Sequence, residues 1–198
     1  MPRIGLTSEK LVTAAATLAD ECGFTNLTLT ALASRFDVRV ASLYSHLNNS
    51  EDLKARVAAH ALGLLADRAE EAVAGRAGKD ALVAVAHAHR DFARERPGLF
   101  EAARHRLEGP FDAAHGGVRV ARVMLAMLRG YALDDTACTH ATRLLGSVFL
   151  GYPMLELSGS FDHRAPGADA SWRASLDALD AMLRDWGRRD DTSLMQTP

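Results

Sequence analysis

Cysteine is nearly missing from this sequence: Cys22 and Cys138 are the only two among 198 residues, and they stand far apart in helical contexts. That excludes a disulfide framework and a zinc spacing, and a reducing cytosol is the simplest compartment. Aromatics make up only 6%, and runs of Val, Ile, Tyr and Thr that would mark strands are lacking. No apolar run opens the chain in the manner of a signal peptide, and none reaches the length of a membrane helix. Charge of one sign is lacking too. The formal net charge is -2, which excludes a wholly basic nucleic-acid coat and confines any DNA contact to a local surface. The sequence has no Gly-x-Ser-x-Gly, no phosphate loop and no dinucleotide fingerprint. His87, His89 and His105 lie close in sequence, but His87 and His89 face different ways on one helix and no Cys or carboxylate pattern joins them. We therefore expect no metal and no cofactor.

What is abundant is Ala and Leu within a 48% hydrophobic composition, residues that lose little on entering a helix. The spacing predicts a first helix over about Thr7 to Cys22, capped by Thr7, carrying Leu11, Ala14, Ala15 and Leu18 on one face and stopped by Gly23. A short helix capped by Thr28 follows, then a tight turn at Asp37 and a helix over Val40 to Leu47. Ser50 is the expected cap of a fourth helix with Leu53, Val57, Ala61, Leu64 and Leu65 inward. After Gly75 to Gly78 a second group begins: a helix with Leu82, Val85, His89 and Phe92 on one face, a helix over Leu99 to Leu107, another over Val118 to Leu128, and a long one capped by Asp134. A loop over Ser158 to Ala168 precedes the last helix, whose Trp172, Leu176, Leu179, Leu183 and Trp186 recur at spacings of 4, 3, 4 and 3. The tail after Gly187 reads as polar and loose. The fold class is all-α: an N-terminal three-helix helix-turn-helix head over residues 1–50 and a helical body over 51–198.

A helix-turn-helix needs two short helices, a tight turn, and a second helix that is apolar behind and small or polar in front. Residues 27–47 meet those demands. Leu32, Val38, Leu43 and Leu47 form the inward side, while Arg39, Ala41, Ser42, Ser45 and His46 point outward and Tyr44 can reach a phosphate. The run Leu27-Thr28-x-x-x-Leu32-Ala33-x-x-x-x-Val38-x-x-x-x-Leu43-Tyr44-x-His46, followed by Glu51-Asp52-Leu53, resembles the DNA-binding head of the tetracycline-repressor (TetR) family of bacterial transcriptional regulators. The resemblance covers the first quarter of the chain. The later helices fit that family's variable body in number and length, and Val148 to Leu157 resembles its penultimate helix in one branch. Four positions depart from the family pattern. Asp37 takes the turn position where Gly is common, Arg39 opens the recognition helix in place of Ser or Thr, and Asn48 and Ser50 replace lysines. Residues 1–60 hold six cations (Arg3, Lys10, Arg35, Arg39, Lys54, Arg56) and six anions (Glu9, Asp20, Glu21, Asp37, Glu51, Asp52), so DNA affinity is expected to rest on few phosphate contacts and to vary shallowly with salt.

The resemblance implies a repressor released from a palindromic double-stranded DNA operator by a small molecule. The DNA-contacting set is Thr28, Thr30, Arg39, Val40, Ala41, Ser42, Tyr44, Ser45 and His46. One short helix reads few base pairs, so two copies about 34–36 Å apart are needed. The expected homodimer seam joins the last two helices through Leu144, Leu145, Val148, Phe149, Trp172, Leu176, Leu179, Leu183 and Trp186, although the same faces could bury within one protomer. The family implies an effector pocket in the body between the helices around 79–131. Its candidate lining is His89, Phe92, Phe100, Met124, Met127 and Tyr131, each of which could instead be core. An apolar or amphipathic effector follows from the lack of clustered charge there. Two other readings stay open: a helical dimer that acts through protein partners, favoured by the neutral head, and a small helical enzyme.

Overall fold

A computed structural model describes residues 6–194, with side chains described as far as Trp186. Among the described residues there are eight α-helices and no strand. In chain order they are α1 (Ser8–Cys22), α2 (Leu29–Arg35), α3 (Ser50–Val73), α4 (Gly78–Glu95), α5 (Pro97–Ala102), α6 (Gly116–Leu128), α7 (Asp135–Leu157) and α8 (Ala168–Leu194). Short 3-10 turns cover Phe24–Asn26, Val40–Ser45 and Arg129–Tyr131.

The caps explain most boundaries. The Thr7 hydroxyl accepts the Lys10 N–H at 3.2 Å and Thr28 accepts that of Ala31 at 3.1 Å, each satisfying a donor that a helix start leaves free. Gly23 ends α1 at φ +87°, a conformation that favours glycine. Asp134 opens α7 by accepting the Ala137 N–H at 2.7 Å. Several boundaries differ from the sequence expectation. Asn49, not Ser50, caps α3: its side chain accepts the Asp52 N–H, and the Asp52 carboxylate accepts the Asn48 N–H, both at 2.8 Å. These two bonds leave Ser50 as the first helical residue. The segment expected as a helix from Leu99 to Leu107 stops at Ala102, where Arg104 and His105 make tighter bonds to the carbonyls three residues back. Helix α8 continues past Gly187 to Leu194; one glycine costs a helix only about 1 kcal/mol, too little to end it.

Packing divides the chain into two apolar cores. The first joins α1, α2 and the following turn through Leu11, Leu27, Leu32, Leu43 and Leu47 to Leu53 and Val57 of α3, and onward to Phe92, Leu99 and Phe100. The second gathers Leu82, Val85, Met127, Leu145, Phe149, Trp172, Leu176 and Leu183 from α4, α6, α7 and α8. Helix α3, about 36 Å long at 1.5 Å per residue, contributes to both, with Leu65 in the first and Ala69 in the second. The expected division between residues 50 and 51 marks where this helix begins, but the first core runs straight across it.

Candidate nucleic-acid interface and its joint to the body

The turn after α2 depends on Asp37, which takes φ +52°, the left-handed conformation expected from the sequence. Its N–H is bonded to Ser34 O at 3.2 Å and that of Val38 to Ala33 O at 3.1 Å. The chain then enters Val40–Ser45, which is a 3-10 helix of six residues and not the α-helix over Val40 to Leu47 that the pattern predicts. Arg39 precedes it without any side-chain cap, so nothing holds its first turn in the way Thr28 holds α2. Leu43 and Leu47 are nevertheless fully buried and anchor the segment's back. Its front is open: Arg39, Ala41, Ser42, Tyr44 and Ser45 are exposed, Tyr44 to 56%, while Val40 and His46 are half-buried. Thr28 and Thr30 are also exposed, at the amide end of α2. The Ser45 hydroxyl bends back to Ser42 O at 2.9 Å.

Charges on this head are largely spent on one another. Arg35 pairs with Glu21 at 2.6 Å. Arg56 pairs with Asp52 at 2.8 Å and also donates to the Ser8 hydroxyl, and the Arg56 hydrogen bond holds the Asp52 carboxyl below its ordinary range. Among the described residues, Arg39 and Lys54 of the head have no ion pair, and the Lys54 ammonium lies 5.9 Å from the centre of the Phe24 ring.

The head is fastened to α5 by contacts that no local pattern announces. Gly98 of α5 lies so close to α1 that a Cβ there would fall 1.9 Å from Ala19 O. Asp20 of α1 accepts the Arg96 guanidinium N–H at 2.5 Å and the Leu99 N–H at 3.0 Å. Glu101 accepts the Phe24 N–H at 3.0 Å and the Thr25 hydroxyl at 2.5 Å.

Farther back, the six expected ligand-lining residues are all buried, and they divide between the cores. Phe92 and Phe100 belong to the first; Met124, Met127 and Tyr131 belong to the second. His89 packs against Phe149 at 5.4 Å between ring centroids, and its Nδ1–H donates to Val85 O at 2.8 Å. Burial pushes its imidazole below the ordinary histidine range. The nine residues expected at a two-fold seam also separate. Leu145, Phe149, Trp172, Leu176 and Leu183 are buried in the protomer's own core. Val148, Leu179 and Trp186 are half-buried, and Leu144 is exposed. The 4, 3, 4, 3 spacing on α8 thus marks its inward face. Outward on α7 stand Leu144, Ser147, Met154 and Leu155, and outward on α8 stand Ala174, Ala178 and Ala181.

The described fold aligns with solved structures of the same architecture. ActR from Streptomyces coelicolor superposes with a TM-score of 0.71 at 19% identity, covering 96% of this chain and 99% of that one. A TetR variant from Acinetobacter baumannii superposes at 0.70 with 21% identity over 91% and 97%. Residues 82–179 match the profile of the tetracyclin repressor-like C-terminal domain. The uncharacterized HTH-type transcriptional regulator YobS of Bacillus subtilis is 37% identical over 162 residues, 81% of this chain and 84% of that protein. The chain belongs to the TetR family. A second relative, the HTH-type regulator Rv0681 of Mycobacterium tuberculosis, is 32% identical over 161 residues. This TetR-family chain is a helix-turn-helix transcriptional regulator and not an enzyme, and DNA is its partner. Among the described residues no helix is long and apolar enough to cross a membrane. The residues that sequence reading missed, Asp20, Gly98 and Glu101, belong to the joint between head and body. Their partners lie 76 to 79 residues away, beyond the reach of periodicity or capping rules.

Proposed function

We propose that this regulator is a ligand-responsive repressor that binds a palindromic operator as a homodimer in the cytoplasm and is released by a small apolar or amphipathic effector. The observation that carries the reading is the segment 39–46: buried behind through Leu43, open in front through Arg39, Ser42 and Tyr44, a shape suited to a major groove. Arg39 and Tyr44 supply a base-edge or phosphate contact, and Thr28 and Thr30 sit where a backbone phosphate would approach. Two copies are required for adequate specificity. The exposed faces of α7 and α8, with Leu144 and Leu155 beside the small residues Ala174, Ala178 and Ala181, are the surfaces that support close helix pairing across a two-fold axis. Structural neighbours carry ligands: ActR has been solved with actinorhodin and the Acinetobacter protein with minocycline. The two-core division supports a body that can shift against the head.

Gel retardation on the DNA upstream of the chain's own gene tests this. The wild type should bind at a two-fold symmetric site as a dimer by light scattering. Tyr44→Ala should weaken binding while leaving the melting temperature unchanged. A dimer with no affinity for any genomic fragment would overturn the operator reading and favour a helical dimer that acts on protein partners.

A further inference from the structure

We propose that the cleft between α3 and the segment 110–116 binds a small uncharged aromatic molecule that carries a hydrogen-bond acceptor. The cleft has a volume of about 460 Å³ and is lined on one side by Ala59 and Gly63 and on the other by Phe111, Asp112 and His115. None of the residues expected to line an effector pocket takes part in it, so the inference goes beyond the operator reading and does not depend on it.

Three observations carry it. The walls are held apart at a fixed distance. Gly116 is seated against the α3 backbone, where a Cβ would fall 2.4 Å from the Leu62 carbonyl carbon, whereas a Cβ on Gly63 would meet nothing within 4 Å. Space is thus kept open beside a rigid contact. Next, the imidazole of His115 has a defined tautomer. Its Nδ1 accepts the Gly117 N–H at 3.2 Å, and a ring that accepts at Nδ1 carries its proton on Nε2. That Nε2–H is shut off from solvent and has no hydrogen-bond partner among the described residues. An unpaired buried donor is costly, and a ligand carbonyl or ring nitrogen would satisfy it. Finally, Phe111 lies against the imidazole, ring centroids 4.2 Å apart and 31° from parallel, yet is itself 47% exposed. A ring so open to water loses little by swinging aside, which uncovers the face of the imidazole and offers a ligand an aromatic surface to stack on. Anions are disfavoured. The Asp112 carboxylate is in the lining, where it accepts the Ala114 and His115 N–H groups, both at 3.0 Å. The volume suits a two-ring molecule.

Benzophenone and its isostere 1,1-diphenylethylene separate the elements of this site, because they share a shape and differ in the acceptor. With the full-length protein, benzophenone should bind at least fivefold more tightly than the alkene and should shift the His115 ring resonances in histidine-resolved NMR spectra. Irradiation of bound benzophenone, whose excited ketone inserts into a neighbouring C–H bond, should label peptides containing residues 59–63 and 110–116. His115→Phe should abolish the preference for the ketone. It also removes the Gly117 contact, so Gly63→Leu provides the second variant. That substitution fills the cleft without replacing His115, and it should weaken both probes at least tenfold while the melting temperature holds or rises. Labelling elsewhere, equal affinity for ketone and alkene, undiminished binding by Gly63→Leu, or no binding at all would each overturn the proposal. No DNA enters the measurement, so failure here leaves the operator reading where it stands.

Discussion

The two cores of this regulator bury different things. The core shared by the head, the first half of α3 and α5 is apolar throughout, and its polar ties run along the edge, where Asp20, Asp52 and Glu101 accept backbone N–H groups. The core of the body encloses or borders His89, Arg90 and Asp180, the buried polar residues among those described. It also leaves the indole N–H of Trp172 and the hydroxyl of Thr142 without partners among the described residues. Arg90 and Arg94 share the carboxylates of Glu156 and Asp169, so α4, α7 and α8 meet at a cluster in which pairings can be exchanged. Tyr131 donates to Asp180 at 2.8 Å, and Arg184 pairs with the same carboxylate. The hydrogen bonds from Arg184 and Tyr131 outweigh the opposing effect of burial and hold the Asp180 carboxyl below its ordinary range. A core of the first kind has one good packing. A core of the second kind carries polar groups that must keep their partners, so removing one partner strands the other.

The contrast is broken most severely at the joint. Gly98→Val places a side chain where α1 backbone already lies, with the first added atom 1.9 Å from Ala19 O. Neither backbone can yield without opening the first core. We expect a loss on the order of 3 kcal/mol or more, read as a large fall in the urea midpoint, together with loss of operator binding. A melting temperature within a degree or two of wild type would show that α5 is not seated on α1 as described.

Next in size is Glu156→Ala. Glu156 is the carboxylate nearest the buried Arg90, at 2.6 Å and with the pair exposed only 4% and 13%; the Arg90 hydrogen bond holds its carboxyl below the ordinary range. Removing it strands a buried guanidinium with the more exposed Asp169, and about 3 kcal/mol of stability should go. Replacing both Arg90 and Glu156 by apolar residues of similar size should cost less than the single change. If the single variant is the milder, the cluster is not holding the body together.

How far this comparison was legible in the sequence depends on how local each cause is. Thr7, Thr28 and Asp134 cap helices as their spacing predicts, Gly23 takes a positive φ because it lacks a Cβ, and Asp37 takes the left-handed backbone that its short polar side chain tolerates. The front of the head is open where alternation of apolar and polar residues places it, at Arg39, Ser42 and Tyr44. Periodicity also gave α8 its apolar stripe but could not say which apolar neighbour covers it. The answer is the same protomer, since Trp172, Leu176 and Leu183 close the second core. The six residues named for a ligand lining divide between the cores for a related reason: Phe92 and Phe100 lie toward the C-terminal end of α4 and on α5, where the head begins to share their packing. The Asp20 and Glu101 ties, the Gly98 contact and the Arg90 cluster join residues 62 to 79 positions apart, and no window along the chain contains them.

Arg39→Ala sharpens the comparison from the other side, because it should touch function and neither core. Arg39 is exposed, has no ion pair among the described residues and offers no cap. Its removal should cost about tenfold in operator affinity, the scale of about 1.4 kcal/mol, with the melting temperature unchanged. If Arg39 meets a phosphate, the loss should be uniform across DNA sequences and the salt slope should fall by about one. If it reads a base, the loss should appear on the operator alone. Equal binding by variant and wild type would remove Arg39 from the interface.

The smallest expected effect is a pH dependence confined to the body. His89 is buried and neutral, and burial lowers its pKa below the value of about 6.5 that it regains on unfolding. A histidine with a depressed folded-state pKa binds its proton more readily when unfolded. Its contribution is therefore fully present above pH 6.5 and is lost as pH falls from there toward the lowered folded value. Carboxylates do not enter that window, since Glu156 and Asp180 titrate below their ordinary range when folded and below about 4.5 when unfolded. Urea unfolding of the wild type between pH 7 and 5.5 should show stability declining by no more than about 1.4 kcal/mol per pH unit for this one proton. His89→Leu should flatten the decline. It should not abolish it, because His60 on α3 is also lowered by burial, reinforced by the charge of Arg96, and contributes with the same sign. A slope identical in the two proteins would mean that His89 opens to water in solution, and the second core would then be looser around α4 than its packing against Phe149 indicates.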